Sequence, residues 1–323
     1  MNGPRRAVID IGTNSVKVLV AEVEGAQVRP LWEESRQTRL GRGFYKTRRL
    51  QAGSIAQTAA AAAEFVSRAR DDYQAASIRV IATSAARDAR NPEELTAAIE
   101  AACGLRVEII SGEQEADWVF QGATTDPALA AEPLLLLDVG GGSAEFIVGQ
   151  GARTHFRQSF PLGTVRLLEQ FPPSDPPTAG ELAACRRWLS GFLGEQVQPS
   201  LGPVLRQEAA AGPLLFVGTG GTASILACME AELRTFDRER LEAVRLSARR
   251  LRWRMDRLWA LPLAERQHTP GLPRNRADVI LMGAAIYEAV MRVFDFQELR
   301  VSTRGLRFAA VMTAPFGVTP HPA

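Results

Sequence analysis

The chain has 323 residues, of which 46% are hydrophobic and 23% are charged, and its formal net charge is +2. This length exceeds what one hydrophobic core usually supports, so we expect two domains. The small net charge argues against a nucleic-acid-binding protein. No uninterrupted apolar run approaches the roughly 20 residues that span a bilayer, and the N-terminus lacks the apolar segment of a secretory signal. The composition therefore predicts a cytoplasmic protein without membrane or nucleic-acid partners.

The first predicted element is a β-hairpin over residues 7–24, whose first strand carries Asp10. Its turn consists of Gly12, Thr13, Asn14 and Ser15. A polar and basic loop over residues 36–49 follows, and its cations are Arg36, Arg39, Arg42, Lys46, Arg48 and Arg49. These side chains could line the path of a polyanion, or they could belong to an ordinary solvated loop.

Strands and helices alternate over the next part of the chain. In order, we predict a helix over 54–71, a strand over 78–82, a helix from residue 92, a strand over 107–110 and a helix over 113–122. Ser54 and Gln57 have the spacing of a capping box for the first helix. Asn91 is expected to cap the second helix, with Pro92 in its first position. This alternation is typical of an α/β domain.

The most informative segment is LLLLDVGGGSAEFIVG, residues 134–149. It predicts a second hairpin whose turn consists of Gly140, Gly141, Gly142 and Ser143. A glycine turn of this kind presents backbone N–H groups that bind an anion, most often phosphate. Asp138 and Glu145 flank the turn and could hold a hard cation such as Mg²⁺. At one constant offset, the N-terminal hairpin repeats three of these positions: Asp10 matches Asp138, Gly12 matches Gly140, and Ser15 matches Ser143.

Two later segments carry further signals. The turn Gly218–Thr222 stands between a strand over 214–217 and a helix, a layout that receives an anion or a nucleotide. A long helix predicted over 245–260 carries arginines three and four residues apart, namely Arg245, Arg249, Arg250, Arg252, Arg254 and Arg257. This helix could line a polyanion track, form a dimer contact or present a solvated face. An apolar helix over 277–294 and a strand over 299–302 follow.

Two glycine turns, each beside a carboxylate, are suited to phosphoryl transfer. A kinase must also hold a nucleotide, for which Gly218–Thr222 is the candidate. A hydrolase needs a base that aligns water, and the candidates are Glu113 and Glu115 at the start of the helix over 113–122. Alternatively, both carboxylates favour only the positive end of the helix dipole. The residues by themselves leave these readings open.

Taken together, the motifs resemble the exopolyphosphatase/guanosine pentaphosphate phosphohydrolase family of the actin-like, sugar-kinase and heat-shock-70 superfamily. The resembling segments are AVIDIGTNSVKVLVAEV (7–23), ATSAARDARN (82–91), EIISGEQEA (108–116), LLDVGGGSAEF (136–146), PLGTVRLLEQF (161–171), VGTGGTASILA (217–227), ADVILMGAAIYEAV (277–290) and VSTRGLR (301–307). The resemblance implies an α/β fold of two ribonuclease-H-like (actin-like ATPase) domains with an interdomain cleft. The domains would comprise residues 1–122 plus 305–323 and residues 123–304.

The resemblance also assigns roles to single residues. Glu115 would be the catalytic glutamate that activates the attacking water. The phosphate would be bound by Gly12, Thr13, Asn14, Ser15, Arg87, Gly140, Gly141, Gly142 and Ser143. The metal, Mg²⁺ or another divalent cation, would be held by Asp10, Asp138 and Glu145. The family further implies a homodimer.

The reaction implied is removal of the terminal phosphate from inorganic polyphosphate. The alternatives are release of the 5′ γ-phosphate of guanosine pentaphosphate, a non-catalytic nucleotide or polyphosphate sensor, and a sugar or acetate kinase. Many family members carry an acidic residue and a Glu-Gly pair where this chain has Thr303 and Phe308-Ala309, which weakens any role for the last strand. Long members carry an extra C-terminal helical domain, so for this chain we expect short or medium polymers as better substrates.

Overall fold

The computed structural model describes residues 3–313. Its contacts divide the chain into two compact units. Unit 1 runs up to Thr125 and resumes at Gly305, and unit 2 is Asp126–Arg304. Each unit has its own sheet and its own cluster of buried apolar side chains, in which Phe65 belongs to unit 1 and Phe146 to unit 2.

Unit 1 is built on a five-stranded sheet with the order β3-β2-β1-β4-β5. The strands are β1 Arg5–Ile11, β2 Ser15–Glu24, β3 Gln27–Gln37, β4 Ser77–Ala82 and β5 Val107–Ile109. Strands β1 to β3 are antiparallel, whereas β4 and β5 run parallel to β1. The helices are α1 Phe44–Thr47, α2 Ala52–Asp71, α3 Ser84–Arg87, α4 Pro92–Cys103 and α5 Gly112–Ala123, and a final helix, Leu306–Met312, packs on α5.

The predicted hairpin over 7–24 is confirmed, but two predictions for the segment after it are wrong. Residues 36 and 37, which we expected in a loop, belong to β3, which pairs with β2 at the edge of the sheet. Because β3 is polar, its sequence does not show the pattern of a buried strand. The capping box is also absent, because α2 starts at Ala52 and the Ser54 hydroxyl donates to the carbonyl of Arg39 instead.

Asn91 precedes α4 as predicted, but its side chain does not cap that helix. Its Oδ1 accepts a hydrogen bond from the backbone N–H of Leu50 at 2.9 Å, and its Nδ2 donates to the carbonyl of Leu50 at 3.1 Å. Leu50 and Asn91 are both buried. The side-chain amide of Asn91 therefore supplies the hydrogen bonds that the backbone of Leu50 cannot make with water.

Unit 2 has a six-stranded sheet with the order β10-β11-β9-β6-β7-β8. Its strands are β6 Leu134–Val139, β7 Ala144–Gln150, β8 Arg153–Phe160, β9 Leu215–Thr219, β10 Arg245–Ser247 and β11 Glu298–Val301. Its helices are α6 Pro127–Ala130, α7 Thr164–Gln170, α8 Ala179–Phe192, α9 Gln198–Ala211, α10 Gly220–Glu230, α11 Arg238–Glu242, α12 Ala248–Trp259, α13 Leu263–Arg266 and α14 Ile280–Val293. A π-helical turn, Leu193–Val197, and a 3₁₀ turn, Arg274–Arg276, complete it, and we number the last helix of unit 1 α15.

The two sheets repeat one topology. The order β8-β7-β6-β9-β11 in unit 2 corresponds to β3-β2-β1-β4-β5 in unit 1, with the same parallel and antiparallel relations. The extra strand β10 corrects the predicted helix over 245–260, because Arg245–Ser247 pairs antiparallel with β11 and α12 begins only at Ala248. The predicted α/β class with a domain-sized duplication is confirmed.

Candidate active site

The two glycine turns close in the same way. In unit 1 the N–H of Gly12 donates to the carbonyl of Ser15 at 3.0 Å, and in unit 2 the N–H of Gly140 donates to the carbonyl of Ser143 at 3.0 Å. A methyl group placed on Gly12 or Gly140 would lie 3.2 or 3.1 Å from the same serine carbonyl. The repeat seen in the sequence is therefore a repeat of turn geometry.

The turn in unit 2 is held by the segment that opens α7. The N–H groups of Val165 and Arg166 donate to the carbonyl of Gly141 at 2.8 and 3.1 Å, and Nε of Arg166 donates to the carbonyl of Gly142 at 2.8 Å. Gly163 approaches so closely that a Cβ atom there would lie 2.5 Å from the carbonyl carbon of Gly141. These contacts fix the turn carbonyls on one side, which organises the turn before any ligand arrives.

The turn in unit 1 is held by the segment that follows β3. Here the N–H of Gly41 donates to the carbonyl of Thr13 at 2.7 Å, and the N–H of Arg39 donates to the carbonyl of Asn14 at 3.0 Å. A Cβ atom on Gly41 would lie 2.3 Å from Cγ2 of Thr13. Gly41 thus has the role in unit 1 that Gly163 has in unit 2, a correspondence that was not predicted from the sequence.

Asp138 and Glu145 are directly opposite each other on the antiparallel strands β6 and β7, so their side chains share one face of the sheet. Glu145 is 1% exposed and accepts a hydrogen bond from the hydroxyl of Ser159 at 2.8 Å. Two carboxylates in this cross-strand position repel each other unless a cation lies near them. Mg²⁺ is usually held by one or two carboxylates together with phosphate oxygens, so this pair fits the expected ion.

The third predicted metal ligand, Asp10, is buried on β1 in unit 1, with Lys17 opposite it on β2. Asp138 and Glu145 belong to unit 2. Within residues 3–313, no group of three or more histidine, cysteine, aspartate or glutamate side chains has an arrangement that would hold a metal ion. Asp138 and Glu145, which lie on neighbouring strands of one sheet, are therefore the candidate metal ligands in unit 2.

The turn Gly218–Thr222 packs against Asp138. Gly220 has a φ of +79°, and a Cβ atom on it would lie 2.1 Å from Oδ1 of Asp138. Tyr287 supports the same end of the sheet, because its hydroxyl lies 3.0 Å from the carbonyl of Leu137 and 3.2 Å from that of Thr219. Burial, together with the charge of Asp138, raises the pKa of Tyr287 well above its ordinary value, so this hydroxyl stays a donor. The sequence suggested the turn Gly218–Thr222 as a nucleotide site. In the structure, this turn contacts the carboxylate of Asp138.

The two candidate glutamates differ in their surroundings. Ser111 caps α5 by accepting a hydrogen bond from the N–H of Gln114, which places Glu113 and Glu115 in the first turn. Glu113 is exposed, whereas Glu115 is 8% exposed. Arg87 donates through Nη1 to Oε2 of Glu115 at 2.9 Å and to the carbonyl of Ile110 at 3.1 Å. The helix dipole acts on both carboxylates, but burial and an arginine partner distinguish Glu115.

Arg87 reaches Glu115 because the strands before them are neighbours. Strand β4 leads into α3, which ends at Arg87, and β5 leads into α5. The two strands are parallel and in register from Val80 to Ala82, so the segments that follow them emerge at the same edge of the sheet. The sequence predicted Arg87 as a phosphate ligand, and the structure adds its pairing with Glu115.

Near the Gly12 turn, the buried side-chain atoms Nδ2 of Asn14 and Oγ of Ser84 lack a hydrogen-bond partner among the described residues. Asn14 is 5% exposed and Ser84 is 3% exposed. The N–H of Thr83 donates to the carbonyl of Ile11, so Ser84 follows β4 beside the start of the Gly12 turn. A buried donor without an acceptor costs free energy, and a ligand that accepts from both would recover it. Ser84 was not among the predicted site residues, although it stands in the ATSAARDARN motif.

Two arginines of the basic loop form ion pairs with acidic residues. Arg36 is in contact with Glu64 and Glu34, and its hydrogen bond with Glu64 raises the pKa of Arg36. Arg49 pairs with Glu94 at 2.8 Å. These ion pairs already neutralise part of the charge that a polyanion would meet.

The Thr303 position also has a partner that the sequence did not reveal. The Thr303 hydroxyl donates to Oε1 of Glu242 at 2.6 Å and accepts from Arg238. Glu242 lies on α11, far from Thr303 in the sequence, and brings a carboxylate to the position where the resemblance leads us to expect an acidic residue. The departure from the family motif is thus accompanied by a carboxylate from a neighbouring helix.

Comparison with known proteins gives a consistent result. The model of the Ppx/GppA phosphatase family matches residues 18–312. Exopolyphosphatase 2 of Mycobacterium tuberculosis is 32% identical over 297 residues, which are 89% of this chain and 90% of that protein.

Solved structures agree with this result. The Aquifex aeolicus PPX-GPPA enzyme superposes with a TM-score of 0.75 and is 29% identical, covering 96% of this chain and 99% of that one. An exopolyphosphatase-like protein superposes with a TM-score of 0.85 at 26% identity, covering 97% of this chain and 98% of that one. Within residues 3–313, no helix combines the length and apolarity needed to cross a bilayer. The resemblance found in the sequence is confirmed, and the chain belongs to the Ppx/GppA phosphatase family.

Proposed function

We propose that this phosphatase is an exopolyphosphatase and that Glu115 is its general base. The observation that carries the proposal is that Glu115 is buried and paired with Arg87, whereas Glu113 in the same helical turn is exposed. Glu115 accepts a proton from water as the water oxygen forms a bond to the terminal phosphorus. The terminal P–O–P bond breaks, orthophosphate leaves, and the polymer becomes one phosphate shorter.

Binding of the terminal phosphate is assigned to the two glycine turns. The N–H groups of Gly12 and Gly140 close the turns, and we assign the other turn N–H groups, together with Asn14 Nδ2, to phosphoryl oxygens. Arg87 is held by the carbonyl of Ile110 as well as by Glu115, so it is positioned before a substrate binds. Donors that are already in place when charge develops lower the barrier more than donors that must reorganise.

We assign Mg²⁺ to Asp138 and Glu145, with Asp10 as the further ligand that the family resemblance implies. A bound divalent cation would neutralise charge on the phosphoryl oxygens as the anhydride bond breaks. The task of this chain is to keep the two carboxylates oriented, for which Ser159 supplies a hydrogen bond to Glu145.

The test is phosphate release from inorganic polyphosphates of defined length by the wild-type protein and by Glu115→Gln. Loss of the general base should lower the turnover number about 100-fold or more. Glu113→Gln, a change of the same type two residues away, serves as the matched control and should leave turnover near that of the wild type. Full activity of Glu115→Gln would refute the assignment. The length series also measures whether short and medium polymers are the better substrates.

Guanosine pentaphosphate is the alternative substrate, since the same residues would act on its terminal phosphoanhydride. A parallel assay of both substrates with and without Mg²⁺ separates the two activities. Protein that binds either ligand but releases no phosphate would instead be a sensor. The homodimer and the cytoplasmic location expected from the sequence remain predictions, and sedimentation analysis tests the first.

A further inference from the structure

Helix α12 presents a strongly basic face to solvent. Its buried face contributes Leu251, Met255 and Leu258 to the core of unit 2. Its exposed face carries Arg249, Arg250, Arg252, Trp253, Asp256 and Arg257. The helix contains five arginines and one acidic residue, whereas the whole chain has a net charge of only +2. This surface therefore carries a local excess of positive charge.

Trp253 organises this face. It is 43% exposed, which is unusual for so large an apolar side chain. The guanidinium carbons of Arg250, Arg257 and Arg254 lie 4.2, 5.0 and 6.0 Å from its ring. Such cation–π contacts hold the arginine heads in place, so less side-chain entropy is lost when an anion binds them.

Carboxylates neutralise only part of the face. Glu230 pairs with Arg250 at 3.0 Å and with Arg254 at 2.5 Å, and Asp256 pairs with Arg186 at 2.8 Å. Within the described part of the chain, no ion pair is found for Arg249, Arg252 or Arg257. These three cations remain available to a ligand of opposite charge.

Helix α12 begins at one edge of the sheet, where the parallel strands start, and Asp138 lies at the other edge, where they end. The N–H of Ala248 donates to the carbonyl of Gln297, just before β11 starts, whereas Asp138 stands near the end of the parallel strand β6. The four-residue step from Leu134 to Asp138 spans about 13 Å along the strand direction. The start of α12 is therefore separate from the glycine turn of unit 2 and does not extend it.

We propose that the exposed face of α12 is a second binding site for inorganic polyphosphate, which holds the polymer away from the bond being hydrolysed. The site includes a surface depression of about 650 Å³ lined by Ser247, Arg249, Arg250 and Trp253. This inference rests on the proposed function. A nucleotide base would have to stack on the Trp253 ring, which already contacts three guanidinium groups. A linear polyanion needs only the guanidinium groups, so it fits this face better than a nucleotide does.

A second copy of the chain fits the face less well. In a two-fold symmetric contact the same patch is present on both partners. Three guanidinium groups without carboxylates would then face their own copies, and burying like charges together is unfavourable. An anionic polymer is the occupant that the charge of the face favours.

The experiment measures binding of short-chain and long-chain inorganic polyphosphate over a range of salt concentrations, in a Glu115→Gln background so that the polymer is not consumed. The test variant is Arg249→Ala/Arg252→Ala/Arg257→Ala. The control, Arg70→Ala/Arg153→Ala/Arg206→Ala, removes the same charge from exposed positions that also lack an ion pair within residues 3–313. In the test variant, affinity for the long polymer should fall at least about tenfold, and the slope of log affinity against log salt should fall by about 2, as expected for three lost phosphate contacts. Short-chain binding and, with Glu115 restored, short-chain hydrolysis should be unchanged.

Equal long-chain affinity in the two triple variants would overturn the second site while leaving the proposed function intact. If the wild-type protein binds and hydrolyses no polyphosphate of either length, the proposed function fails as well. A change in sedimentation mass in the test variant would identify the face as a contact between copies. Loss of guanosine pentaphosphate binding alone would identify a nucleotide site. Either of these two results also refutes the proposal.

Discussion

Arg87 donates a hydrogen bond to the carboxylate of Glu115 at 2.9 Å, and the side chains of the two residues are 23% and 11% exposed. An arginine that pairs with the proposed base can act in two ways. It can hold the carboxylate in one orientation, and it can turn toward a phosphoryl oxygen when substrate binds. The pair links the two roles that the sequence assigned separately, water activation and phosphate contact.

The first prediction is that Arg87 and Glu115 are energetically coupled in the reaction. Arg87→Ala should lower kcat/KM about ten- to hundredfold, since it removes a hydrogen bond to a charged group, and Arg87→Lys should restore part of the loss. The double variant with Glu115→Gln should be little worse than Glu115→Gln alone, because residues that act as a unit are not additive. Steady-state kinetics of the four proteins measures the coupling. Strict additivity of the two losses would show that the residues act independently.

The second prediction concerns the buried hydroxyl of Ser84, which lacks a partner in the described residues. Ser84→Ala should leave the free energy of unfolding unchanged or slightly higher, because it removes an unsatisfied donor from the interior. The same change should raise KM for polyphosphate about three- to tenfold, as expected for one lost hydrogen bond. Denaturant unfolding and steady-state kinetics measure the two effects. Ser67→Ala, which removes an exposed hydroxyl bonded to Asp71, is the control. A large loss of stability in Ser84→Ala would point to a structural role instead.

The third prediction is that Gly220 positions Asp138. Gly220→Ala introduces a Cβ atom 2.1 Å from Oδ1 of Asp138 and also strains a backbone with φ +79°. Gly151→Ala is the matched control, since Gly151 has φ +60° and the carbonyl oxygen of Ala130 would be 3.8 Å from the new atom. Both variants should lose about 1–2 kcal/mol of unfolding free energy from the left-handed backbone. Only Gly220→Ala should also lose the rise in Tm that Mg²⁺ produces, because the carboxylate is displaced.

Thermal unfolding with and without Mg²⁺ measures this difference without relying on enzyme activity. If Mg²⁺ stabilises both variants equally, Gly220 has no special relation to the metal carboxylates. A Gly221→Ala variant extends the comparison within the same turn, since its new atom would meet only the end of the Arg276 side chain, at 3.3 Å.

The fourth prediction is a pH dependence at the start of α8, where Thr178 and Glu181 form a capping box. Hydrogen bonds from the backbone N–H groups of Thr178 and Ser174 lower the pKa of Glu181 from 4.5 to about 2. A carboxyl whose pKa is depressed by folding contributes stability above its unfolded value and loses it as the pH falls. The stability difference between the wild type and Glu181→Gln should therefore be constant above about pH 5 and should shrink between 4.5 and about 2. Denaturant unfolding at a series of pH values checks this, and a pH-independent difference would contradict it.

Local patterns in the sequence were sufficient for much of the fold. The glycine turn over 140–143 and its matching turn at residues 12–15 were predicted because apolar runs on both sides of a glycine turn are a short-range signal. The apolar helix predicted over 277–294 is also present, as α14, although it starts a few residues later. Strand β3 was not predicted because an edge strand can be polar. The predicted start of α12 was wrong because residues 245–247 pair with β11, although the arginines from residue 245 onward have helical spacing.

By itself, the sequence determined the family, the two glycine turns and the carboxylates beside them, since these depend on residues close together in the chain. Only the tertiary structure decided that Glu115 is buried while Glu113 is exposed, that Arg87 pairs with Glu115, that Gly220 contacts Asp138, and that Glu242 reaches Thr303. Each of these contacts joins segments brought together by strand order and packing, and no local sequence pattern encodes the distance between them.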